Sequence, residues 1–412
     1  MKILIVAPMV PQSDGAGAIP ILLQAQLTGL AAGNEVTFLS AFGDEPGEAE
    51  AAELLLGSGL DVNLADRRQP SSGARWRRRL RFARAWLRGG RPWRSIWFCD
   101  PGIQTELDRL AGERDFDVVV VEDSAMATLR LPPGAPAVLT EHEVLRPRSV
   151  DWHPGAPGNW ARWALGELDW RRRHRFQRRA WSRFDRVLVF SGRDAEAIAE
   201  LAPELADRVL VSPFGMILPA PLDPALEAAD TVLFVGNFTH RPNRDAVAWL
   251  ADEIMPAVRR RLPEAKLRVV GSSPTAEVLA LAGPGVEIFA DAPSVEPHLA
   301  AATVVVAPVR TGGGMRMKVL EALAAGKAVV TTSRGTEGFD CFEEPPPLAV
   351  ADDGDRFAAA IADLLADPGR RAELRQRARA FAERHYSDAI WARRLEGIYE
   401  AARNGGGDTS DG

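Results

Sequence analysis

The stretch "RTGGGMRMKVLEALAAGKAVVTT", residues 310–332, sets a run of three glycines ahead of a helical pattern and closes that pattern with Gly326 before a Val-rich strand. Glycine inside regular structure costs about 1 kcal/mol relative to alanine, so a run of them marks a place where backbone must approach something closely. The segment "TVVVAP" (303–308) precedes it and reads as a buried strand. The glycines therefore stand at the carboxyl end of a strand. Val319, Leu320 and Leu323 recur at helical spacing, which predicts a helix of about a dozen residues ending at Gly326, the usual residue for a left-handed C-terminal cap. Lys318 and Glu321, three apart, share a different face of that helix. Strand, glycine loop, helix and strand together form the repeating unit of a parallel sheet covered by helices.

The same alternation runs outward in both directions. After the stretch "SPFGMILPAPLDPALEAAD" (212–230), strands are predicted at "TVLFVG", "KLRVVG", "VEIFA", "TVVVAP" and "KAVVTT", each followed by a helix. Before it, strands are predicted near Lys2–Pro8, Glu35–Ser40, Asp117–Val121, Ala137–Thr140, Arg186–Phe190 and Val209–Ser212. The expected fold class is α/β, with two doubly wound Rossmann-like domains facing across a cleft. Their expected limits are 1–213 for the first and 230–385 for the second, joined by a Pro-rich linker at 214–229. A returning helix is expected at 386–403 and a disordered tail at 404–412. Ligands of such sheets bind beyond the carboxyl ends of the strands.

Composition narrows the function classes. With 412 residues, 46% hydrophobic and 26% charged, the chain is that of a soluble globular protein long enough for two cores. Cys99 and Cys341 are its two cysteines, too few for a disulfide framework and consistent with a reducing cytoplasm. No apolar run approaches the roughly 18 residues of a spanning helix, and "ILIVAPMV" (3–10) reads as a first strand rather than a signal peptide. The GxGxxG spacing that starts at Gly15 meets Pro20 where its last glycine belongs, and strand two ends without the acid that grips a ribose. What remains, around Gly15 and Gly17, is a glycine turn able to touch a ligand, or a simple tight turn. No P-loop, no HExxH, no clustered Cys/His set and no GxSxG is present, so no metal or bound cofactor is expected.

The helix entrance at 312–318 has the chemistry of an anion site: free N–H groups favour negative charge, and Arg316 and Lys318 add cations. Glu321 lies one turn deeper and can accept bonds from sugar hydroxyls. Together these parts suit a nucleotide sugar, with a solvated Lys/Glu pair on an ordinary helix as the alternative.

Here the second half resembles the donor domain of GT-B retaining glycosyltransferases of family 4, in which a glycine loop and an "LEA.A.G.AVV" helix bind the nucleotide sugar. The resemblance implies that Gly312, Gly313, Gly314 and Met315 form the donor loop and that Glu321 holds the ribose. The family's first paired glutamate has its place taken by Gly313. "VLFVGNFTHRPNRDAVAWL" (232–250) is similar to the opening of that donor domain, where Gly236 is followed by a diphosphate clamp; Asn237 stands at the clamp's arginine and Arg241 near its lysine. Arg316 and Lys318 are therefore expected to supply the missing cations. Gly271 and Ser272 are placed beside the nucleotide and Asp291 near the base. In the first half, "VVVVED" and "VLTEHEVL" are consecutive strands, and His142 at the end of the second matches a family histidine near the donor sugar. "FAERHYSDAIWARRLEGIYEAA" (381–402) resembles the family's terminal helix that crosses back to the first domain. The implied reaction is metal-independent transfer, with retention, onto a glycan, lipid-linked or small-molecule acceptor; a nucleotide-sugar epimerase and a non-catalytic binder are the alternatives.

Charge is unevenly spread along the chain. Nine arginines lie between Arg75 and Arg94, and nine of the eleven tryptophans between Trp76 and Trp181. Such helices suit an anionic membrane surface, which places the expected cytoplasmic protein peripherally at the inner membrane face. Ordinary helices with solvated arginines are the alternative. No nucleic-acid module accompanies these residues.

Overall fold

The computed structural model describes residues 1–12, 18–43, 47–67, 80, 82–87, 91–144, 160–311, 316–339 and 341–405, without the side chains of 18 and 160–164. Gly15, Gly17, Gly312, Gly313, Gly314, Met315 and most of the 404–412 tail lie outside the described residues. The chain divides into two compact units, Met1–Met216 with Asp388–Gly412, and Ile217–Ser387.

The first unit is built on a seven-stranded sheet in the order β3-β2-β1-β4-β5-β6-β7, every pairing parallel. Its strands are β1 (Lys2–Val6), β2 (Glu35–Phe42), β3 (Asp61–Asp66), β4 (Val118–Glu122), β5 (Ala137–Thr140), β6 (Arg186–Val189) and β7 (Val209–Val211). The central strands are continuous apolar runs because helices cover both faces; Ile3 to Val6 and Val118 to Val121 are fully buried. The strand list from sequence lacks β3. Its sequence "DVNLAD" is half polar and only Ala65 is buried, since the strand lies at the sheet's edge, where Asp61 to Leu64 are half-buried and Asp66 is exposed.

The second unit holds a six-stranded parallel sheet in the order β10-β9-β8-β11-β12-β13. Its strands are β8 (Thr231–Val235), β9 (Lys266–Gly271), β10 (Val286–Ala290), β11 (Val304–Ala307), β12 (Val329–Thr331) and β13 (Ala349–Val350). In both sheets the winding reverses beside the first strand, between β1 and β4 and between β8 and β11. Those reversals open the crevices in which doubly wound sheets take ligands.

The last helix, Asp388–Arg403, belongs to the first unit and packs on the helix Ala18–Ala31. Gly29 permits the approach: a Cβ there would lie 2.7 Å from the carbonyl oxygen of Asp388 and 2.9 Å from Ala392 Cβ. Asn34 Nδ2 donates to Glu396 Oε1 at 2.5 Å and fixes the register further along.

Part of the arginine and tryptophan enrichment is structural. Trp86 Nε1 donates to Asp169 at 2.8 Å while the Arg172 guanidinium lies 4.2 Å above the Trp86 ring and donates to its carbonyl oxygen. These contacts pin the segment 82–87 to the helix Trp160–Trp181. Leu80, Leu87, Trp93, Leu165 and Leu168 remain exposed in the same region. Trp76 and the arginines from 75 to 79 lie outside the described residues. Among the described residues no helix is long and apolar enough to cross a membrane.

Candidate functional site

In the second unit the helix that follows β11 runs from Met317 to Ala324, eight residues rather than about a dozen. The longer expectation counted the residues ahead of Met317 into the helix, whereas Arg316 has a non-helical backbone (φ −93°, ψ 70°) and occupies the N-cap position. Its C-terminus closes as the sequence predicts. Gly326 takes φ 67°, its N–H bonds to Leu323 O at 2.9 Å and the N–H of Lys327 to Ala322 O at 2.9 Å, a Schellman closure.

Lys318 is the second residue of this helix, with its ammonium turned toward Phe234 of β8. Its Nζ lies 4.5 Å from the centre of the Phe234 ring and donates to Asn243 Oδ1 at 2.6 Å. Asn243 in turn donates through Nδ2 to the carbonyl oxygen of Asn237 at 2.7 Å. The same side chain rests on Gly236, where any Cβ would come within 2.9 Å of Asn243 Cγ. One asparagine in the first turn of the helix Arg241–Trp249 thereby joins the turn after β8 to the lysine after β11. Sequence reading missed Asn243. The available signal was a polar residue seven positions after the strand-end glycine, in a helix whose inward face is apolar.

Gly271 and Ser272 lie against the same turn. Phe238 N–H bonds to Ser272 O at 2.9 Å, and Asp291 reaches back, its Oδ1 accepting from Ser273 N–H at 2.7 Å. Gly236, Asn237, Gly271, Ser272, Asp291 and Lys318 are thus brought to one edge of the sheet. Asn237 spends its side-chain oxygen on the N–H and hydroxyl of Thr239, at 2.9 and 2.6 Å. Arg241 is exposed at the start of its helix. Arg316 is buried, and its guanidinium is held by Glu337 Oε2 and Arg334 O, both at 3.2 Å.

The electrostatics single out Lys318. Burial, with the positive charge of Arg316 second and the Glu321 carboxylate opposing, pushes its ammonium down to about 7. Burial likewise raises the Glu321 carboxyl, against the pull of Lys318. No ion pair joins the two. The ammonium's neighbours are an amide oxygen and a π face, and no carboxylate among the described residues is bonded to it.

The first unit holds a second constellation at the carboxyl ends of β4 and β5. His142 Nε2 lies 2.8 Å from Glu122 Oε2, and both side chains are buried. Glu122 is the buried last residue of β4; its other oxygen accepts from Thr140 Oγ1 at 3.0 Å and Gln26 Nε2 at 2.9 Å. Glu122 was also missed. Its signal was an acid closing the apolar run "VVVVED" beside the histidine-bearing strand. Asp123 follows with φ 78° and ψ 130°, a conformation that costs a non-glycine residue about 1–3 kcal/mol. It is held there by Arg94 at 2.6 Å and by capping the N–H of Ala125 at 2.8 Å. Glu141, flanking His142, accepts from Trp181 Nε1 at 2.7 Å. Burial, reinforced by the Asp123 charge, pushes its carboxyl up to about 7 against the bonds from Trp181 and Ser124. Glu143, on the other side, pairs with Arg173 at 2.8 Å and Arg94 at 3.5 Å.

The fold has solved relatives along nearly its whole length. HepE of Anabaena, in complex with UDP and glucose, is 12% identical and superposes with a TM-score of 0.64 over 97% of this chain and 100% of that one. Sucrose-phosphate synthase of Thermosynechococcus elongatus is 17% identical, with a TM-score of 0.63 over 97% and 98%. The N-terminal domain of Candida albicans trehalose-6-phosphate phosphatase is 12% identical, with a TM-score of 0.66 over 98% and 97%. No curated protein matches the chain by sequence. These likenesses establish the GT-B fold, and the lysine-bearing sheet edge lies inside a segment that matches a family model of its own. Residues 229–367 match the model of the family described as glycosyl transferases group 1.

Proposed function

We propose that the chain transfers a sugar from a nucleotide-diphosphate sugar to a glycan, lipid-linked or small-molecule acceptor, with retention and without a metal ion. The observation that carries this reading is the half-buried Lys318 ammonium, held by Asn243 over Gly236 and Phe234, at the winding reversal of the segment that matches glycosyl transferases group 1. In such a transfer negative charge collects on the departing diphosphate, and a fixed cation in a dry pocket stabilises it most where it develops. Lys318 serves that role. Arg316, tied to Glu337, acts mainly by keeping the local potential positive, and Glu321 takes the ribose hydroxyls. Relatives described as bound to UDP and UDP-glucose favour a uridine nucleotide. His142, held on Glu122 within the first unit, is read as a catalytic group, as the family resemblance implies.

The test is a panel of nucleotide sugars read by thermal stabilisation, followed by slow donor hydrolysis without acceptor and by transfer to added glycans and lipid-linked sugars. We expect one donor to raise the melting temperature and to be consumed equally well in EDTA. The anomeric configuration of the product, read by NMR, is expected to match the donor. Donor conversion to an isomeric nucleotide sugar, or binding with no turnover on any acceptor, would refute the transfer reading.

A second expectation concerns the exposed Leu80, Leu87, Trp93, Leu165 and Leu168, which share the region with the exposed Arg171 and Arg175. Each basic residue at an anionic surface contributes about 1 kcal/mol. The protein is expected to co-sediment with vesicles containing phosphatidylglycerol and to stay in the supernatant with pure phosphatidylcholine. Equal recovery in both supernatants would leave these residues as plain surface.

A further inference from the structure

We infer that the last helix of the chain fixes the proton geometry of His142, with Tyr399, Gln26 and Glu122 acting as positioning residues. Tyr399 lies on the helix Asp388–Arg403 and is fully buried, as are Gln26, at 2% exposure, and Glu122, at 1%. The Gln26 amide nitrogen carries two hydrogens. One reaches Glu122 Oε1 at 2.9 Å and the other the Tyr399 hydroxyl oxygen at 3.3 Å.

The direction of the amide follows from its partners. A carboxylate only accepts, so the amide nitrogen rather than its oxygen must face Glu122, and the tyrosine oxygen then accepts the second hydrogen. Thr140 Oγ1 adds a second donor to Glu122 Oε1. With that oxygen filled and the carboxylate plane held, Oε2 faces His142 as its one partner among the described residues, and the hydrogen between them is assigned to Nε2. Nδ1 has no protein partner among the described residues. A neutral ring in this tautomer presents Nδ1 as an acceptor.

The helix is well anchored for this task. Gly29 and Gln26–Tyr399 place its contacts on the helix Ala18–Ala31, and Asn34–Glu396 adds one from the turn that follows that helix. Packing alone would be served as well by a leucine or phenylalanine at 399 and a leucine at 26. Burying three polar groups in a closed chain that ends on a histidine ring is costly unless each bond is made, and a fully made network specifies one arrangement.

The catalytic consequence rests on the transfer reading above, whereas the geometry does not, and the experiment separates them. Nitrogen-15-edited spectra of the imidazole rings would be recorded for the full chain and for Gln26→Leu, Tyr399→Phe and Glu122→Gln. The wild type is expected to show His142 as the Nε2–H tautomer. Gln26→Leu and Glu122→Gln are expected to give a mixture of tautomers, and Tyr399→Phe a smaller change of the same sign. If transfer is measurable, kcat should fall about tenfold or more in Gln26→Leu with the nucleotide-sugar KM unchanged, within the usual range for a mispositioned acid–base group. Should Gln26→Leu fail to fold, Tyr399→Phe, which removes one oxygen atom, decides alone. An unchanged His142 tautomer in the folded variants overturns the inference. A moved tautomer with no turnover on any donor leaves the positioning intact and removes the transfer reading instead.

Discussion

Lys318→Ala is expected to weaken binding of a nucleotide-diphosphate sugar about 100-fold while leaving the bare nucleoside within about twofold, a difference near 2.7 kcal/mol. The size follows from a charge-assisted bond made in a dry place, where each such bond contributes about 1.5–3 kcal/mol. The selectivity follows from geometry: the Lys318 ammonium rests over Phe234 and on Asn243, at the strand end, one turn from Glu321. Isothermal titration calorimetry with the sugar nucleotide and with the nucleoside measures both. Equal loss for the two ligands would remove Lys318 from the phosphate. The same residue sets a pH dependence. In the free protein burial holds the ammonium near 7, so at pH 8 most of it is neutral, and the arriving diphosphate restores its proton. Binding should therefore take up nearly one proton at pH 8, seen as a heat that differs between Tris and Hepes. Affinity should be flat below about pH 7 and fall by up to about tenfold per unit above it. The diester phosphates of a sugar nucleotide do not titrate in this range. Lys318→Ala should abolish both the proton uptake and the slope.

The sequence made the sheets legible because parallel strands covered on both faces are written as unbroken apolar runs, and β1, β4, β8 and β11 all read that way. The edge strand β3 did not, since a strand paired on one side only can be half polar. The two-residue β13 carries too few side chains for any period to show. Within the candidate site, residues at strand ends could be named from position alone: His142 after β5, Gly236 after β8, Gly271 ending β9. Their partners could not. Asn243 is recognisable only once the helix after β8 is seen to lay its first turn over Gly236, and Glu122 only once β4 and β5 are paired with Glu122 opposite Thr140. Arg316 and Lys318 look equivalent in "MRMK", yet one turns to Glu337 and the other to Asn243, because a two-residue step on a helix entrance rotates the side chain to a different neighbour.

Gly271→Ala should be among the most damaging single substitutions in the second unit, although it adds one methyl group. That Cβ would stand 1.7 Å from the carbonyl oxygen of Gly236 and 2.9 Å from Phe238 Cε2, so the backbones that leave β8 and β9 touch there. The contact is fixed on both sides: Gly236 N–H bonds to Val270 O at 3.0 Å and Phe238 N–H to Ser272 O at 2.9 Å. A flexible side chain could step aside, but two hydrogen-bonded backbones cannot without breaking the end of the β8–β9 ladder. The expected cost is about 4 kcal/mol, at the upper end for a point substitution, which for a unit of this size lowers its melting temperature by roughly 8–16 °C. Gly283→Ala is the matched control. Its Cβ would meet nothing within 4 Å and its backbone needs no left-handed conformation, so its effect should stay within about 0.5 kcal/mol. Calorimetry on the intact chain measures both, and a Gly271→Ala protein that melts with the wild type would mean the two strand ends do not cross this closely. Because Asn243 rests on Gly236 and holds Lys318, a forced shift of the Gly236 carbonyl also moves the ammonium. In Gly271→Ala, therefore, the extra stabilisation given by the sugar nucleotide should shrink toward that of Lys318→Ala, whereas in Gly283→Ala it should match the wild type.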